Sequence, residues 1–170
     1  MIYSLLRQHF PIVFLIGFGV FIFAPVVFST NIFSGQEDIG FHYAISYYVQ
    51  TTLDAGHSLA WIPSYYGGVP TSVDQFFGTW YPIYRIFFSL FNYFTAHHLI
   101  VVFATIAGLL LTYAFGRAQG WTRAASICLA LFYLSATTYE WLWVGTTAAH
   151  SFAILPGVLL ALHYAAKRNT

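Results

Sequence analysis

Polar residues in this chain come in groups, and between the groups run charge-free apolar stretches. A transmembrane helix needs roughly 20 predominantly apolar residues to cross a hydrocarbon core of about 30 Å. The first such stretch is Pro11 to Ser29, PIVFLIGFGVFIFAPVVFS, where Pro11 suits a first helical turn because its missing N–H would have no intrahelical partner there. A cleaved signal peptide would also place an apolar run behind a basic residue, here Arg7. The run is long, however, and no A-x-A cleavage site follows, so a retained helix is predicted. The second stretch is His97 to Gly116, HHLIVVFATIAGLLLTYAFG, ending in a basic turn from Arg117 to Arg123 with Gly120 as the helix stop. A third, shorter segment runs from Ala124 to about Tyr139 and contains Ser126, Ser135, Thr137 and Thr138. Small hydroxylated residues predict faces turned to neighbouring helices. The fourth runs from about Thr147 to Ala166, is interrupted by Pro156-Gly157, and ends in Lys167-Arg168.

Residues 30–96 separate the first two spans and have a different pattern. In Phe41 to Leu53, one helical stripe collects Phe41, Ile45, Tyr48 and Val49, which predicts an amphipathic helix at the membrane surface with Gly56 as its stop. Ile83 to Phe94 is a second interfacial helix or a turn leading into the second span. Between them, Trp61 to Pro82 is broken by Pro63, Gly67-Gly68, Pro70, Gly78 and Pro82 and reads as an ordered, aromatic-rich loop. The fold class expected is therefore an all-α polytopic membrane protein, one domain over residues 1–170. Its transmembrane helices are expected at about 11–29, 97–116, 124–139 and 147–166, and its external loop at 30–96.

Composition agrees. Hydrophobic residues make up 59% of the chain and charged ones 6%, against about 25% charged in a soluble domain. A disordered segment or a nucleic-acid partner would need far more polar or basic surface. The single cysteine, Cys128, excludes a disulfide framework and a cysteine zinc site. Charge then sets orientation: with both termini cytoplasmic, Arg7, Arg117, Arg123, Lys167 and Arg168 lie inside, and Glu37, Asp38, Asp54, Asp74 and Glu140 lie outside. This is the positive-inside arrangement of an integral membrane protein.

The remaining polar residues carry the candidate chemistry. Asp38 fits an N-cap for the helix beginning near Ile39, and a compatible reading of Glu37-Asp38 is a carboxylate held at the membrane surface as general base or metal ligand. His42 lies four residues after Asp38 and would share its helical face, as a metal site or as a stabilising pair. Asp74 and His57 could join such a cluster only if the loop folds back. Arg85, the one external base, either snorkels among aromatics or grips an anionic group such as a lipid phosphate. His97-His98 are expected to face headgroups at the start of the second span. His150 and His163 are expected near the two boundaries of the fourth, and Glu140, Trp141 and Trp143 to anchor the external hairpin before it.

The external loop also has a recognisable cadence: Gly35-Gln36-Glu37-Asp38, Phe41-His42-Tyr43, Leu53-Asp54-Ala55-Gly56, Trp61-Ile62-Pro63, Tyr66-Gly67-Gly68-Val69-Pro70 and Tyr81-Pro82. It resembles the first external loop of GT-C type, YfhO-like multispanning membrane glycosyltransferases. The later Gly108, Tyr113, Arg117, Gly120, Tyr133 and Pro156 are similar too. The resemblance implies a polyprenyl-phosphate sugar donor, chemistry at the external membrane face, and Asp38, with Glu37 as second choice, as the carboxylate that deprotonates or orients the acceptor hydroxyl. It implies a divalent cation (Mg or Mn) on His42 and Asp74, and Trp61, Tyr65 and Tyr66 stacking on sugar or isoprenoid, with Arg85 as a further substrate contact. Such enzymes have more than four spans, so the chain is expected to be the amino-terminal part of a longer protein or a reduced relative. The rival reading is a small non-catalytic accessory subunit of a larger membrane complex, in contact with lipid, pigment or protein partners.

Overall fold

In a computed structural model of the chain, residues 2–28, 43–62, 68–70, 82–144 and 146–168 are described. Among them the fold is all-helical apart from one two-residue ladder. The helices are α1 (Ile2–Val27), α2 (Tyr43–Asp54), α3 (Pro82–Leu90), α4 (Tyr93–Ala118), α5 (Arg123–Val144) and α6 (Thr146–Arg168). The ladder pairs β1 (Trp61–Ile62) with β2 (Val69–Pro70) antiparallel, Trp61 opposite Pro70.

Local chemistry explains the helix ends. Asn92, extended at ψ 155°, caps α4 by accepting the Thr95 N–H on its side-chain oxygen at 2.9 Å. At the far end, Gly120 (φ +83°) turns the chain; its N–H reaches the Arg117 carbonyl at 3.1 Å, and that of Trp121 the Gly116 carbonyl at 3.1 Å. This pair of bonds is a Schellman stop. The same device ends α2, where Gly56 N–H bonds Leu53 and His57 N–H bonds Thr52. The two glycine stops predicted from sequence thus have a common cause.

Two other features differ from expectation. Pro11 lies inside α1, which already begins at Ile2, and Pro156-Gly157 does not interrupt α6. Pro156 is buried, and α6 is held along α4 on both sides of it: Ala153 lies against Gly108, and Gly157 against Leu111. A missing helical hydrogen bond is tolerated where neighbouring helices hold the segment.

The central element is α4, which packs against α1, α5 and α6 along its length and against α2 and α3 near its start. A core of Leu15, Phe23, Val101, Val102, Leu109, Ala130 and Leu134 joins α1, α4 and α5. Backbones approach closely here. A Cβ at Gly116 would stand 2.9 Å from Ser126 Oγ, so only glycine lets α5 sit this near α4. Ser126 is buried as its hydroxyl predicts; Ser135 instead is exposed and bonds its own helix at the Phe132 carbonyl. Among the described residues, α4 is the helix long and apolar enough to cross a membrane by length and composition. Shorter apolar stretches, His9–Pro25 and Arg123–Ala136, lie in α1 and α5.

Candidate functional site

The segment between α1 and α4 forms a second core. On α2, Ile45 and Val49 are buried at the spacing the amphipathic stripe predicts; Tyr48 is half-buried, and Phe41 lies outside the described residues. On α3, Tyr84 and Phe88 are buried one turn apart. With Leu59, Ala96 and Ile100 they close a cluster that fixes α2 and α3 against the first turns of α4.

Polar groups are threaded through this core. Tyr43, the first residue of α2, hydrogen-bonds His98 Nε2 through its hydroxyl at 2.7 Å, and its ring lies 4.4 Å from that of His97. One turn on, Ser46 Oγ meets His97 Nδ1 at 3.4 Å. Gln50, a further turn along, donates to the Phe91 carbonyl at 3.0 Å and accepts the Tyr93 N–H, which ties α2 to the chain entering α4. Three successive turns of one face of α2 therefore each place a polar group on α4 or its cap.

The headgroup-facing position expected for His97-His98 is corrected by this packing: they are 1% and 2% exposed. The reason is the amphipathic α2, whose polar Tyr43 and Ser46 supply the partners that lipid headgroups were expected to supply. Sequence reasoning missed the Tyr43/Ser46/His97/His98 cluster. Its signal was present: an adjacent histidine pair opening an apolar helix, and a tyrosine and a serine spaced three apart on an amphipathic one.

Trp61 is held differently. The Tyr48 hydroxyl donates to its carbonyl at 2.6 Å, and its indole lies against Gly68, where a Cβ would come within 2.3 Å of the ring. Gly68 has φ +115°, a conformation side chains disfavour, so sterics and backbone both demand glycine. Trp61 is nonetheless 51% exposed as a residue. It thus packs on Gly68 and stays partly exposed.

Of the other predicted site residues, Arg85 is exposed on α3 and His57 is exposed beyond the end of α2. Glu37, Asp38, His42, Tyr65, Tyr66 and Asp74 lie outside the described residues. Among the described residues no three His, Cys, Asp or Glu side chains gather as a metal site. His163 is half-buried near the end of α6, its Nδ1 3.1 Å from the Gln119 amide nitrogen. No protein-family profile, curated protein or solved structure matches the chain.

Proposed function

We propose that the chain is the amino-terminal membrane module of a GT-C-like glycosyltransferase that takes a polyprenyl-phosphate sugar at the external membrane face. In this reading α1, α4, α5 and α6 are the four transmembrane helices and both termini are cytoplasmic. The segment holding α2 and α3 is the external loop. The observation that carries the reading is Trp61, its indole against Gly68 and the residue half exposed, on a segment packed against the start of α4. An immobilised aromatic face at the membrane surface is what stacking on a sugar ring requires.

The chemistry is an inverting displacement. The acceptor hydroxyl oxygen attacks the anomeric carbon, the carbon–oxygen bond to phosphate breaks, and polyprenyl phosphate leaves with the bonding pair. Asp38 takes the hydroxyl proton, with Glu37 as the second choice. Trp61, Tyr65 and Tyr66 stack on sugar or isoprenoid, and Arg85 pairs with the donor phosphate. His42 and Asp74 are the residues proposed to hold a divalent cation.

In the complete enzyme, Asp38→Asn is expected to lower glycosyl transfer by at least about 10²-fold, the scale of a general base, while expression and topology persist. Transfer of labelled sugar from a polyprenyl-phosphate donor in membranes is the measurement. Wild-type-like transfer would remove Asp38 from the role.

A further inference from the structure

The short helix α3 is apolar on two sides. Its inner side, Tyr84 and Phe88, is buried against α2 and the first turns of α4. Its outer side is Ile86 and Leu90, with Phe91 just beyond, and these are 55%, 68% and 40% exposed. Ser89, between them, turns its hydroxyl back to the Ile86 carbonyl at 2.8 Å, so it adds little polarity to that side. Arg85 is the one charged residue of α3, and the sequence has no Asp or Glu from 75 to 139. A helix apolar around most of its circumference belongs in an interior or in a membrane.

The position of α3 along α4 decides between the two. Arg117 marks one end of the charge-free run of α4, and roughly 20 residues counted back from it, enough to cross about 30 Å of hydrocarbon, reach His97. Phe103 lies six residues further in, about 9 Å below that boundary. Phe103 is 44% exposed, and the ring of Phe87 on α3 lies 5.9 Å from its ring. Phe87 in turn stacks on Phe91 at 6.1 Å. One apolar surface therefore runs from the exposed side of α3 onto the exposed side of the membrane-crossing helix, below the level of the headgroups. Arg85 fits this depth, because its long stem lets the guanidinium reach the headgroups.

We propose that α3 is seated within one leaflet of the bilayer beside α4, with Ile86, Leu90 and Phe91 against lipid acyl chains. The partner of this face is the lipid itself, reached because the α3 surface continues that of α4. The proposal rests on α4 crossing a membrane and not on the glycosyltransferase reading.

The test uses the full, unmutated chain at low density in phosphatidylcholine vesicles that contain a phosphatidylcholine with a diazirine on one acyl chain. After illumination, lipid adducts are mapped by proteolysis and mass spectrometry. Adducts are expected on α3 as well as on α4 around Phe103. Adducts around Phe103 with none on α3 overturn the proposal while leaving α4 in the membrane. Adducts on neither segment remove α4 from the membrane, and the proposal with it. A second measurement asks whether water reaches the same face. In a Cys128→Ser background, Ile86→Cys should react with a charged maleimide at least about tenfold more slowly than Asp54→Cys at the exposed end of α2, because an apolar environment suppresses the reactive thiolate. Equal rates overturn the proposal. Slow reaction at Ile86→Cys without acyl adducts on α3 means that a second copy of the chain covers the face, and overturns it too. Should the cysteine variants not fold, the adduct map of the unmutated chain decides.

Discussion

The two ends of the α4 bundle use polar residues in opposite ways. Where α2 and α3 pack, Tyr43, Ser46, Gln50, His97 and His98 are turned inward and bonded to one another or to backbone. At the other end, Arg117, Arg123 and, at the end of α6, Lys167 and Arg168 are exposed. A neutral polar group can be buried when a partner meets it, whereas a charge stays at the surface unless another charge neutralises it. The first end therefore spends its polarity on holding helices together, and the second carries its charge at the surface.

This contrast can be broken by mutation. The largest effect is expected from Phe88→Ala, which empties the core beneath α2 and α3. A loss of about 3–5 kcal/mol is expected, read as a collapse of protease resistance in α2 and α3 before the rest of the bundle. Tyr43→Phe keeps the ring but removes the bond to His98. It should lower stability by about 1 kcal/mol in a denaturant titration, and more if the imidazole finds no replacement partner. Arg168→Gln should change stability in neutral detergent by less than about 0.5 kcal/mol, because Arg168 is exposed at the end of α6. If Arg168→Gln destabilised the chain as much as Tyr43→Phe, the two ends would not differ as argued.

The sequence made some of this legible residue by residue. The stripe of Ile45 and Val49 placed one face of α2, and Gly56 and Gly120 marked stops because only a residue free to adopt positive φ closes a Schellman turn. Ser126 announced a close helix contact, and the matching partner is Gly116. Ser135, of the same type in the same helix, is exposed; both hydroxyls bond their own helix, at the Thr122 and Phe132 carbonyls, so a serine alone does not mark the contact face. The site was less legible. Trp61 stands out in the sequence as an aromatic, but that its indole lies against Gly68 depends on β1 meeting β2, a pairing two residues long with no sequence period to betray it.

Apolar runs, glycine stops and segregated charge thus determined by themselves an all-helical chain with long apolar helices and one basic end. Each of these is a property of a residue and its near neighbours, set by backbone geometry and by transfer from water. The fate of His97 and His98 was decided only in three dimensions. Their environment depends on Tyr43 and Ser46, more than fifty residues away, and on α2 folding back to bring those two hydroxyls within reach. A histidine at the start of an apolar helix is satisfied equally well by headgroups or by hydroxyls, and local sequence does not distinguish the two. Packing of α2 and α3 onto α4 supplied the hydroxyls and so chose between them.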